Sequence, residues 1–93
     1  MNLTMNQVYK ALGDPTRREI LRLLREHDLC AGDLASHFDL SKPALSKHFA
    51  ILKKADLVTD YKKGNYNFYR LNVSVLEESL MQLMHVFNLG AKK

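Results

Sequence analysis

In the stretch SKPALSKHFAILKKADLV, residues 41–58, the side chains of Lys42, Ser46, Lys47 and Lys53 share a chemistry: ammonium groups neutralise phosphates and reach guanine edges, and a hydroxyl bonds to either. At 100° per residue they fall with Pro43, Ala50 and Lys54 in one arc, and no acidic residue interrupts it. The opposite arc holds Ala44, Leu45, Phe49, Ile51, Leu52 and Ala55, so one side packs and the other is cationic. A solvated helix face would be expected to mix both signs, and the lack of acid favours a polyanionic partner. Other chemistry is poorly supplied. The chain has no Gly-rich phosphate loop, carboxylate pair or nucleophile–base spacing, which argues against an enzyme. His48 lies on the apolar arc, where a hydrogen-bonded structural histidine is the simplest reading, and His27 and His37 lie near helix ends.

The elements that must position this arc can be read from their punctuation. Met5, Val8, Tyr9 and Leu12 are spaced as one face of a short helix over residues 3–12, ending at Gly13. Asp14-Pro15-Thr16 starts a second: Asp14 can accept free backbone N–H groups, and Pro15 sits where none is needed. It runs to about Glu26, burying Ile20, Leu21, Leu23 and Leu24. A third begins at Cys30 or Ala31 with Asp33 in its first turn, turns Leu34, Ala35 and Phe38 inward and stops near Asp39-Leu40. Ser41 caps the fourth, with Pro43 tolerated in its first turn. Two short helices joined by a brief connection, the second basic, form a helix-turn-helix whose second helix enters the major groove.

The period then changes. Residues 57–62 and 66–71 are strand-like runs around Lys63-Gly64-Asn65, giving a β-hairpin whose tip carries Lys62, Lys63 and Asn65, with Gly64 supplying the turn's backbone angle, and can lie along a phosphate backbone. Directly after a basic second helix, that hairpin is a wing. Charge follows the same division. Residues 41–70 hold seven basic side chains against Asp56 and Asp60, whereas the first forty residues come to −1 and the last twenty-three to zero, within a total of +4.

The last helix, from Val73 to about Leu89, aligns Val73, Leu76, Leu80, Leu83, Met84 and Phe87 in one stripe, with Val75, Met81 and Val86 off it. A helix apolar on more than one side needs covering that a 93-residue chain cannot supply alone, and pairing with a second copy provides it. The expected interface takes Met5, Val8 and Tyr9 from the first helix and Leu80, Leu83, Met84 and Phe87 from the last. The whole chain, residues 1–93, reads as one domain. No apolar run approaches the roughly 18 residues of a membrane span, and the N-terminus lacks the order of a secretory signal, so a cytoplasmic protein without membrane insertion is expected. Cys30 is the only cysteine, which excludes an intrachain disulfide and a zinc site of several thiolates from one chain.

ALGDPTRREILRLL, LSKPALSKHFAILKKADLV and YKKGNYNFYRL, in that order, resemble the ArsR/SmtB family of bacterial winged-helix repressors over nearly the whole chain. The resemblance implies a mainly α fold with a small β-hairpin, a winged helix-turn-helix of order α-α-α-α-β-β-α, assembled as a homodimer that binds operator DNA and represses transcription. By position, the DNA-contacting residues of the family's recognition helix fall on Lys42, Pro43, Ser46 and Lys47, and its wing contacts on Lys62, Lys63 and Gly64.

The departures from the family concern sensing. Many members bind thiophilic metals through a Cys-x-Cys pair at the start of the third helix, but LCAGDL retains Cys30 and has Gly32 at the second position. The last helix offers Glu77, Glu78 and His85 without the Asp-x-His spacing of other members. This pattern resembles the metal-independent subgroup that includes small autorepressors of the SdpR type. It implies no metal or other cofactor, and a partner protein rather than an ion to relieve repression. Two other readings stay open at this stage: a winged-helix module whose basic face meets an acidic protein, and a metal- or thiol-responsive repressor using Cys30 or His85.

Overall fold

The computed structural model describes residues 3–90, with side chains from Met5 onward; residues 1–2 and 91–93 of the expected domain lie outside the described residues. Five helices, α1 (Leu3–Leu12), α2 (Pro15–Glu26), α3 (Ala31–Phe38), α4 (Lys42–Lys54) and α5 (Val73–Val86), accompany three strands, β1 (Leu29–Cys30), β2 (Val58–Lys63) and β3 (Tyr66–Leu71). The strands form an antiparallel sheet of order β1-β3-β2. Val58 pairs with Leu71 at the base of the hairpin and Lys63 with Tyr66 at its tip. The hairpin and the helix order are as the sequence indicates. The two-residue β1, pairing Leu29 with Tyr69 and Cys30 with Phe68, is an addition too short to give a periodic signal.

The caps do what their residue types allow. Asp14 accepts from the Arg17 backbone N–H at 3.0 Å, and Ser41 Oγ from the Ala44 N–H at 3.2 Å. Arg17 also reaches back to α1, donating from Nε to the Ala11 carbonyl at 2.8 Å and from Nη2 to the Lys10 carbonyl at 3.0 Å. Arg18 donates to the Leu12 carbonyl at 2.7 Å. The Arg-Arg pair therefore adds donors to carbonyls at the end of α1, the Lys10 carbonyl also accepting from the Gly13 N–H at 3.1 Å. Helix α4 ends in a reciprocal motif: Asp56, at φ +61°, donates to Lys53, and Leu57 donates to Leu52 at 3.0 Å.

One core joins the elements. Val8 of α1, Ile20 and Leu24 of α2, Leu34 of α3, Leu45, Phe49 and Leu52 of α4, and Leu57, Val58 and Leu71 around the hairpin are buried together. The inward faces expected of α2 and α4 are those that pack, with Leu23 and Ile51 at the margin.

The terminal helices differ in what they bury. Met5 and Val8, expected at a dimer interface, are buried within the single chain at 5% and 0% exposure. Tyr9 is half-buried, and its hydroxyl has no hydrogen-bond partner among the described residues. Helix α5 stops at Val86 rather than near Leu89, because Asn88 adopts φ +56° and donates to His85, and Leu89 donates to Met84 at 2.8 Å. It rests on the core through Val75 and Leu76 and buries Ser79, while Val73, Leu80, Met81, Met84 and Phe87 stay exposed. Val75 thus packs although the wheel set it off the stripe. No helix of the described residues is long and apolar enough to cross a membrane.

Candidate nucleic-acid interface

Helix α4 is held from behind. Leu45, Phe49 and Leu52 anchor it in the core, leaving Lys42, Pro43, Ser46, Lys47 and Ala50 exposed on the outer side. Pro43 and the Ser41 cap fix where the helix begins, so Lys42, Ser46 and Lys47 project from its first two turns. The arrangement presents two ammonium groups and a hydroxyl on a rigid rod with no acid between them, a set suited to phosphates and to base edges in a groove. A cleft of about 230 Å³ between α3, α4 and β3 has Lys42 and Ser46 among its lining residues.

The wing stands beside this rod. Gly64 takes φ +63° at the turn, a conformation that L side chains rarely adopt, with open space where a Cβ would lie. Lys62 and Lys63 are exposed at the end of β2, just before the turn. The wing is tied to α4 by the stacked rings of Phe49 and Tyr69, 4.0 Å apart between centroids.

Not every cation of the basic third is available to a partner. Lys53 Nζ lies 3.2 Å from Asp60 Oδ2, which also accepts from Asn67 Nδ2 at 3.1 Å. Arg70 donates from Nε and Nη2 to Asp28 Oδ2 at 3.1 and 2.9 Å, and the Tyr61 hydroxyl donates to the same oxygen at 2.7 Å. These bonds hold the Asp28 carboxyl below the ordinary carboxylate range, with Arg70 the larger cause, and push the Tyr61 hydroxyl up. Asp60 is likewise held low, first by Asn67 and then by Lys53. Lys42, Lys47, Lys62 and Lys63 make no ion pair among the described residues. Seven of the expected positions, Lys42, Pro43, Ser46, Lys47, Lys62, Lys63 and Gly64, therefore lie on exposed surfaces of α4 and the wing, and Lys53 has an internal partner.

Arg17, Asp28 and Asn67, absent from the sequence-derived set, organise the site from outside it. The signal for Arg17 was its place in the DPTRR start of α2, whereas Asp28 lies 42 residues from Arg70 and carried none. His48 is half-buried, with Nδ1 3.4 Å from Arg17 Nη1 and 3.9 Å from Asp14 Oδ2.

The donor set of a thiolate metal site does not fit at α3. Cys30 Sγ donates to Asp33 Oδ2 at 3.3 Å, and a Cβ added at Gly32 would lie 3.9 Å from that sulfur, so position 32 is near enough for a second ligand but supplies none. His85 lines a shallow depression with Met81, Met84, Leu89 and Gly90. Among the described residues of one chain, no three His, Cys, Asp or Glu side chains converge as metal ligands.

A family model described as bacterial regulatory protein, arsR family, matches residues 14–60, from the cap of α2 into β2. The chain belongs to the arsR family. It is similar to the transcriptional repressor SdpR of Bacillus subtilis (strain 168), 48% identical over 86 residues, which are 92% of this chain and 96% of that protein. It is also similar to the arsenical resistance operon repressor of Staphylococcus aureus, 40% identical over 84 residues, 90% of this chain and 80% of that one. The solved ArsR-like transcriptional regulator from Rhodococcus sp. RHA1 superposes with a TM-score of 0.82 at 32% identity, covering 91% of this chain and 80% of its own. The arsR-family fold is a winged helix-turn-helix, in which α3 and α4 form the helix-turn-helix and β2–β3 the wing. The chain is accordingly a transcriptional regulator and not an enzyme.

Proposed function

We propose that the chain is a cytoplasmic, sequence-specific repressor that binds a pseudo-palindromic operator as a homodimer, reading bases with α4 and holding the backbone with the wing. The observation that carries this reading is the exposed, acid-free face of Lys42, Ser46 and Lys47 on a helix anchored by its opposite side, with Lys62 and Lys63 standing beside it. Similarity to two proteins named as repressors supports the direction of regulation. The exposed Leu80 and Met84 of α5, with Phe87 at its end, give a second copy a surface to cover, and two-fold pairing makes the operator two-fold as well.

The homodimer acts without a metal cofactor, a reading supported by the single thiol beside Gly32 and its bond to Asp33. A partner protein, rather than an ion, then relieves repression. The test is competition binding to duplex DNA from upstream of the chain's own gene against a scrambled duplex, with and without zinc or trivalent arsenic. Preference for the upstream duplex, unchanged by either ion, is expected. Equal affinity for both duplexes would contradict sequence reading, and release by either ion would contradict metal independence.

A further inference from the structure

We propose that Asp60 is a positioning residue which, through Lys53 and Asn67, fixes the wing against the recognition helix, so that Lys53 serves the protein's own wing rather than a DNA phosphate. The inference rests on the DNA-binding reading above and assigns roles within it. A single carboxylate oxygen, Asp60 Oδ2, takes Lys53 Nζ from the last turn of α4 at 3.2 Å and Asn67 Nδ2 from β3 at 3.1 Å, while its own backbone belongs to β2. One atom thereby joins three elements.

The register explains the direction of the clamp. Asp60 pairs with Tyr69 and Lys62 with Asn67, so these side chains share one face of the hairpin. That face looks toward α4, since Tyr69 stacks on Phe49 with planes 12° apart. Lys62, which extends beyond the clamp toward the tip, is therefore aimed by the same contacts that hold Asp60.

A carboxylate two residues from Lys62, on the side of the wing nearest the recognition helix, repels DNA. Its presence there calls for a compensating role. An exposed ion pair adds little to fold stability, and Lys53 and Asp60 keep 45% and 29% of their side-chain surface. Its value lies in preorganisation: a wing already at the binding angle loses less freedom when DNA is bound. Simple electrostatics and positioning then call for opposite signs. Removing the charge of Asp60 tightens DNA binding if the residue merely repels, and weakens it if the residue positions.

The test compares the full chain with Asp60→Asn, Lys53→Met and the double variant on the duplex upstream of its own gene, across a salt series, with thermal unfolding as a check of the fold. Asp60→Asn is expected to weaken binding about three- to tenfold at physiological salt, within what one modest contact in each of two wings allows. Lys53→Met is expected to weaken it similarly without changing the log–log salt slope, and the double variant to lose no more than either single one. Tighter binding by Asp60→Asn would overturn the proposal, as would a slope about 2 shallower for dimeric Lys53→Met, the mark of one lost phosphate contact per chain. If Asp60→Asn does not fold, the Lys53→Met slope decides alone. Failure of the unaltered chain to prefer its upstream duplex over a scrambled one would sink the DNA reading and this role together, and that result is visible before any variant is compared.

Discussion

The ring of Phe49 on α4 lies parallel to that of Tyr69 on β3, with centroids 4.0 Å apart and planes 12° from coplanar. Phe49 is 5% exposed, so the stack is both a core contact and the hinge between the recognition helix and the wing. Phe49→Ala is expected to lower stability by about 3–5 kcal/mol through the cavity it leaves. Tyr69→Leu keeps much of the apolar volume and is expected to cost about 1 kcal/mol from the lost stacking. Urea unfolding of both variants checks the difference.

Arg17 makes a second long reach, from the start of α2 to the Lys10 and Ala11 carbonyls that end α1. Arg17→Ala leaves those carbonyls without their charged donor and is expected to destabilise the chain by about 2–3 kcal/mol. Arg17→Lys should recover only part of this, because an ammonium group cannot span two carbonyls as a planar fork does. Hydrogen exchange should show faster opening of α1 in both variants.

The site and its scaffold were legible to different depths. Asp14, Pro15, Ser41 and Pro43 announce helix starts through local bonds, and those starts are where the sequence puts them. The hairpin was readable from its β-branched and aromatic runs around Gly64. Strand β1 was not, since two residues have no period. The pairing of Arg70 with Asp28 and of Lys53 with Asp60 is tertiary, and a count of charges along the chain treats bound and available cations alike. The wheel for α1 likewise shows that the face of Met5 and Val8 is apolar, but not that α1 buries it within the same chain.

Acid should loosen the wing. Asp28 is held below its ordinary range by Arg70 and Tyr61, so its folded value lies under its unfolded one. Its stabilisation is then complete above the unfolded value of about 3.9 and is lost as pH falls through the folded value. Asp14, Glu19 and Asp60 are shifted the same way and add to the trend. Urea midpoints are expected to drop below about pH 4, and Asp28→Asn, weaker at neutral pH, should lose less over that range than the unaltered chain.

Phe87, just past the end of α5, is 65% exposed and Met84 within it 43%, so a charge introduced at either disturbs no core. Phe87→Glu or Met84→Glu is expected to leave the folded chain's unfolding transition within about 0.5 kcal/mol while abolishing self-association in sedimentation. Operator affinity should fall with it, because the second half-site no longer contributes. A dimer that survives both substitutions would place the interface elsewhere.

On the proposed reading, two copies of α4 read two half-sites. Hydroxyl-radical footprinting of the full chain on DNA from upstream of its own gene tests it most directly, with Ser46→Ala and Lys47→Ala alongside Lys62→Ala. Two protected patches centred about one helical turn, roughly 34–36 Å, apart are expected, within a binding equilibrium whose salt slope is near −7 if Lys42, Lys47, Lys62 and Lys63 of both chains each neutralise a phosphate. The α4 substitutions should erase the preference for that site over flanking DNA, and Lys62→Ala should weaken both alike. Even protection along the fragment, or equal losses of specific and non-specific affinity in all three variants, would contradict the assignment of α4 as the element that reads sequence.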